Sequence, residues 1–191
     1  MKTPIDFYFD FSSPYGYLAA QKIEPLAAKH GRGVTWRPIL LGAAFKATGA
    51  GPLPSIPLKG DYSKRDFLRS ARFHDVPFRI PDHFPISTLS ACRAFYATSA
   101  EKQITLAKAL FRAYFVDNVN ISEADNVLRI SAALGLKPDL NDQAVKDKTR
   151  AEVDAAIAKG VFGSPYIIVD GEPFWGMDRF DQLERWLRGP F

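Results

Sequence analysis

Few residues in this chain have both the type and the setting to do chemistry. The first candidate lies in the run Phe7-Tyr8-Phe9-Asp10-Phe11-Ser12-Ser13-Pro14-Tyr15, where an aromatic strand pattern breaks at two hydroxyl residues and a proline. Proline suits the first position of a helix, where its missing N–H has no partner to lose, and serine is among the best N-cap residues. Pro14 also drives Ser13 into extended backbone, the geometry an N-cap needs, so Ser13 fits the cap better than Ser12. Read from these residues alone, the hydroxyl serves its own helix. Cys92 is the one cysteine, which excludes an intramolecular disulfide and any Cys-x-x-Cys redox pair. It falls in an apolar helical pattern with Leu89, Phe95 and Tyr96 and reads as a buried small hydrophobe. His30, His74 and His83 are too scattered for a metal site, and the last two read as surface residues.

The elements that must position Ser13 follow from periodicity. After the aromatic strand, Pro14 to His30 reads as a helix with Tyr15, Leu18, Ala19, Ile23 and Leu26 on one face, bent at Pro25 and closed by Gly31. Val34 to Leu41 reads as a second strand, giving a βαβ unit with parallel strands. From Gly42 to Gly160 the pattern is helical: a proline loop at 49–59, then helices near 63–75, 87–98, 101–118, 122–134 and 142–159. Ser122 with Asp125 resembles a cap, and Gly135 and Gly160 stand at C′ positions. Strands return at Tyr166–Asp170 and Glu172–Trp175 around an Asp170-Gly171 turn, and Met177 to Leu187 closes as an amphipathic helix. Neither end has enough strands for a sheet of its own. The two ends are therefore expected to join, with the helical block inserted between them.

The 191 residues suffice for one domain or two small ones, and 47% apolar with 24% charged residues is the balance of a soluble globular chain. The formal charge of +4 is dispersed in mixed pairs such as Lys146-Asp147-Lys148, so neither nucleic acid nor membrane is expected as a partner. The start, Met1-Lys2-Thr3-Pro4-Ile5-Asp6, meets an acid before any long apolar stretch, so no secretory signal is read and a cytoplasmic location is expected.

The layout resembles the thioredoxin fold with an inserted all-α domain, as in the DsbA family and kappa-class glutathione transferases. The segments Phe9–Tyr15, Pro57–Tyr62, Phe84–Leu89, Gly160–Pro165 and Phe174–Arg179, in that order, resemble the 2-hydroxychromene-2-carboxylate isomerase family. The resemblance implies an α/β thioredoxin-like domain from residues 1–41 and 160–191 and a helical insertion at 42–159. It implies a homodimer that uses glutathione to interconvert 2-hydroxychromene-2-carboxylate and trans-o-hydroxybenzylidenepyruvate in the breakdown of naphthalene-type aromatics.

Carried over residue by residue, Ser13 becomes the catalytic hydroxyl that holds the glutathione sulfur, at a helix N-terminus of the kind that lowers thiol pKa values. Where the oxidoreductases of this fold have their two cysteines, this chain has Ser13 and Gly16, which removes the redox reaction. Lys59, Ser164, Pro165, Met177 and Asp178 fall at positions that bind glutathione, with Pro165 in the cis-proline position and Asp178 matched to the γ-glutamyl ammonium. Tyr15, Tyr17, Phe45 and Trp175 are candidates to line the pocket for the aromatic substrate. The chain departs from the family at Ala50 and Ser87, where asparagine is common. Two alternatives use the same fold: a kappa-like glutathione transferase and a noncatalytic thiol-peptide binding protein.

Overall fold

The structure, a computed structural model, describes residues 3–191. The reading of Met1 and Lys2 as part of a leaderless start lies outside the described residues. Two strands, β1 (Ile5–Phe9) and β2 (Val34–Pro38), flank α1 (Pro14–Lys29). Helices α2 (Leu41–Thr48), α3 (Lys59–Phe73), α4 (Leu89–Ala97), α5 (Ala100–Phe115), α6 (Ala124–Ala133) and α7 (Gln143–Ala158) follow, then β3 (Tyr166–Val169), β4 (Glu172–Trp175) and α8 (Phe180–Arg188). The strands form one sheet in the order β2-β1-β3-β4, with β1 parallel to β2 and antiparallel to β3. The two chain ends thus meet in a thioredoxin-like sheet, as the strand shortage at each end required.

Alternation along β1 decides what each face of the sheet meets. Phe7 and Phe9 point to one side and pack with Trp36, Ile167, Val169 and Phe174 in the main core. Helices of the inserted stretch complete that core: Phe111 on α5 lies 5.3 Å from Phe9 and 5.1 Å from Phe11, ring centre to ring centre. Each fully buried ring of this kind contributes about 1.5–3 kcal/mol of apolar transfer. Tyr8 points to the other face, where Tyr166, Ile39, Val161 and Ala156 of α7 form a smaller cluster. Asp170 and Gly171 both adopt positive φ, 51° and 91°, which is the twist a two-residue turn between β3 and β4 demands.

The structure revises several boundaries. β2 ends at Pro38 rather than Leu41, because after Ile39 bonds to the Phe9 carbonyl the chain leaves the sheet and the Leu41 N–H goes to the Asp10 carboxylate. That turn starts α2, a helix the apolar pattern at 41–48 did not announce. α3 begins at Lys59, four residues early, with a 3₁₀ turn at Leu53–Ser55 folded against it so closely that only glycine fits at position 60, beside the Pro54 carbonyl. Ser122 is not a cap: Asn120 Oδ1 accepts from both its N–H and its hydroxyl, and α6 starts later, after Glu123. The last helix divides into a 3₁₀ turn at Met177–Arg179 and α8. Among the described residues no helix is long and apolar enough to cross a membrane.

Candidate active site

The register of the sheet creates the site. Tyr8 pairs with Tyr166 and Phe7 with Ile167, so continuing the antiparallel ladder past the strand ends sets Asp10 opposite Ser164. The Asp10 N–H indeed reaches Ser164 Oγ at 2.9 Å. The chain then turns: Ser13 N–H bonds to the Asp10 carbonyl, and Ser13 takes extended geometry (φ −85°, ψ 115°) as the N-cap of α1, with Pro14 as its first residue. Its hydroxyl accepts from the Gly16 N–H at 3.0 Å, as a cap should. It also donates to the Ser164 carbonyl at 3.0 Å, which a plain cap has no reason to do. Ser13 is 6% exposed.

Gly16 is required by this closeness. A Cβ at position 16 would lie 2.6 Å from Ser164 Oγ and 3.1 Å from Ser13 Cβ. No acidic residue stands in the first turn of α1, so the partial positive charge of its N-terminus is left for whatever meets Ser13. The Ser164–Pro165 peptide is cis. Ser164 N–H makes no hydrogen bond among the described residues. The Gly176 N–H bonds to the Pro165 carbonyl at 3.0 Å, and Asp178 folds its carboxylate back over Gly176, whose φ of 100° suits glycine. Hydrogen bonds thus run from Ser13 to Ser164 and from Gly176 to Pro165, and beside Gly176 the Asp178 carboxylate is exposed, with Arg179 3.6 Å away.

Beneath Ser13 lies a carboxylate that the sequence reading passed over. Asp10 is 3% exposed. Oδ1 accepts from Ser12 N–H (2.7 Å), Ser12 hydroxyl (2.8 Å) and Thr88 hydroxyl (3.0 Å), while Oδ2 accepts from Leu41 N–H (2.7 Å). Burial pushes its carboxyl above the ordinary aspartate value, and the four donors pull it back without cancelling the effect. The signal was available in part, since Asp10 and Thr88 both fall in segments that carry the family resemblance. Cys92 is buried with its sulfur toward the Ile39 carbonyl, and burial followed by the Asp10 charge raises its thiol pKa well up, so it is inert.

The remaining candidates divide by placement. Trp175 is 56% exposed, lies across Gly163 next to Ser164, and meets Phe162 edge-on at 4.8 Å. Tyr15 is half-buried; its hydroxyl donates to Asp66 on α3 and its ring meets Phe67, so it ties α1 to α3. Burial, then the Asp66 bond, pushes its phenol upward. Phe45 is half-buried on α2. Tyr17 is packed in the core, stacked on Phe115 at 5.1 Å with its hydroxyl on the Pro77 carbonyl. The Met177 side chain is buried in the core, so a ligand contact from this residue would come from its backbone. Lys59 is exposed at the start of α3, with no bond to the other candidates among the described residues. Among the described residues no group of three or more metal-ligating side chains gathers.

Comparison with known proteins shows the family and the fold. The model of the DSBA-like thioredoxin domain family matches residues 4–188. A 2-hydroxychromene-2-carboxylate isomerase of Sphingobium xenophagum is 31% identical, over 98% of this chain and 99% of its own. Glutathione S-transferase kappa 1 of Caenorhabditis elegans is 28% identical over 97% of this chain and 91% of its own. A solved 2-hydroxychromene-2-carboxylate isomerase superposes with a TM-score of 0.85 at 29% identity, covering 96% of this chain and 94% of the other.

Proposed function

This chain belongs to the 2-hydroxychromene-2-carboxylate isomerase family of DSBA-like thioredoxin domains, and we propose that it binds glutathione beside Ser13 and interconverts 2-hydroxychromene-2-carboxylate and trans-o-hydroxybenzylidenepyruvate. Relatives that are isomerases and glutathione transferases support an enzyme. The observation that carries the proposal is the Ser13 hydroxyl, fixed between the Gly16 N–H and the Ser164 carbonyl at the uncompensated N-terminus of α1.

The residues present fit glutathione. The Ser164 carbonyl and N–H offer an acceptor and a donor of the kind that pairs with an extended peptide, as an added strand would. The exposed Asp178 carboxylate suits an ammonium group, and Lys59 suits a carboxylate. Held there by Ser13, Ser164, Asp178 and Lys59, glutathione would supply a thiolate nucleophile for reversible addition to a conjugated double bond, chemistry that isomerises without net oxidation.

What the chain contributes is a donor that can change partners. Ser13 O–H rests on the Ser164 carbonyl, so turning it toward a sulfur frees that carbonyl for a peptide N–H. The N-terminus of α1 favours the charged form of the thiol. Trp175, Tyr15 and Phe45 are the rings proposed to meet the aromatic substrate; Tyr17, set in the core, would act by supporting them. A role in aromatic catabolism, a cytoplasmic homodimer, and the division into units 1–41 with 160–191 and 42–159 belong to the same proposal.

The test is the ultraviolet absorbance of 2-hydroxychromene-2-carboxylate with the protein, with and without glutathione. The proposal expects conversion only when both are present, and no conversion in either case would refute it. The kappa transferase relative favours a second reading, in which the same site releases a conjugate. Fast, stable conjugation of glutathione to chlorodinitrobenzene would support that reading.

A further inference from the structure

We propose that Asp10, braced by the Thr88 hydroxyl, is a positioning residue that holds Ser13 and Ser164 in the arrangement glutathione requires; this rests on the function proposed above. Three features of Asp10 support it. Its backbone closes on both partners of the site, the N–H on Ser164 Oγ and the carbonyl on Ser13 N–H. Its carboxylate then fixes the intervening Ser12 through both N–H and hydroxyl. The remaining donors come from the first residue of α2, Leu41, and the residue before α4, Thr88, so both inserted helices begin at this one carboxylate.

Thr88 supplies the least ordinary observation. It occupies the N-cap of α4, where a threonine hydroxyl normally accepts from its own helix, yet it makes no such bond and is 2% exposed. The hydroxyl donates instead to Asp10, 78 positions away. A cap given up to serve a buried carboxylate is a local rule broken in favour of the site. Removing that donor leaves Oδ1 with the two bonds from Ser12, so the Ser12–Ser13 turn loses its anchor to α4. Because Thr88 does not cap α4, losing its hydroxyl leaves the helix N-terminus as it was.

The test uses Thr88→Val, which keeps the shape and removes the hydroxyl, and Thr88→Ser, which restores it. Glutathione affinity is measured by calorimetry, and Gly16 amide exchange by nuclear magnetic resonance. Wild type that fails to bind glutathione would refute the function proposed above rather than this inference. Given wild-type binding, Thr88→Val is expected to weaken glutathione affinity about tenfold, the scale of one lost hydrogen bond to a charged group, and to speed Gly16 exchange, while Thr88→Ser restores both. Wild-type affinity and Gly16 protection in Thr88→Val would overturn the inference. So would a serine variant as impaired as the valine one, which would assign the effect to side-chain volume.

Discussion

The hydroxyl of Ser13 donates to the carbonyl of Ser164 at 3.0 Å, across 151 positions of sequence, while it accepts from the Gly16 N–H at 3.0 Å. One side chain therefore caps α1 and closes the gap to the strand that follows the cis proline. Ser13→Ala removes both bonds. Unfolding should register a loss of about 1 kcal/mol, the usual cost of an N-cap, whereas turnover should fall by a hundredfold or more. Denaturant titration and steady-state rates on the same preparation check the contrast, and unchanged turnover would remove Ser13 from the chemistry.

Gly16 tests the closeness of the two serines. A methyl at this position meets Ser164 Oγ at 2.6 Å, so Gly16→Ala must push that hydroxyl off the Asp10 N–H or shift the Ser13 turn. Alanine is the better helix former by about 1 kcal/mol, so little net loss of stability is expected. Glutathione affinity should fall. A variant of normal stability and normal affinity would show that the site tolerates a wider spacing than the structure has.

Asp10 predicts a sign for stability against pH. Burial holds its carboxyl above the ordinary aspartate value, so the folded protein binds this proton more tightly than the unfolded chain does. The Asp10 contribution is greatest below the unfolded value and declines as pH rises through the folded one. The unfolding free energy of wild type minus that of Asp10→Asn should therefore fall as pH rises through that range and then level off. Urea unfolding at a series of pH values measures it; a signed difference that rises with pH would contradict the assignment. Asp66 and Glu184, whose carboxyls are shifted the other way, cancel between the two proteins.

Asp178 is exposed beside Gly176 and is separated from the Ser13 hydroxyl by the Ser164–Pro165 segment. Asp178→Ala should weaken glutathione binding several-fold and leave unfolding within about 0.5 kcal/mol of wild type, as surface substitutions do. An unchanged dissociation constant in calorimetry would exclude the carboxylate from the site.

The sheet and the Ser13 cap were legible because they rest on local rules. Alternating aromatics, Ser-Pro at a helix start and Asp-Gly between two short strands each carry their own geometry; all four strands and the α1 cap are present, although β1 lies at Ile5–Phe9 instead of running through Phe11 and β2 stops at Pro38. What the local rules could not supply was register. That Asp10 stands opposite Ser164 follows from the pairing of Tyr8 with Tyr166, a contact between distant parts of the chain. The same limit hid Thr88, whose hydroxyl stands at the N-cap of α4 but serves Asp10, and α2, whose first N–H is claimed by the same carboxylate. Ser122 failed as a cap because α6 begins at Ala124 with Glu123 at its N-cap, while the Ser122 N–H and hydroxyl are turned back to donate to Asn120. Tyr15 and Tyr17, two positions apart, were read alike, but one reaches α3 and the other the core.

The account turns on whether Ser13 and the α1 N-terminus stabilise a thiolate. Ultraviolet absorbance of glutathione thiolate, titrated against pH with the protein in excess, measures this directly. A free thiol of this kind ionises near ~8.5, and the account predicts a bound value at least about one unit lower that moves back toward the free value in Ser13→Ala. A bound thiol that ionises at the free value, or a lowered value that Ser13→Ala leaves unchanged, would contradict it.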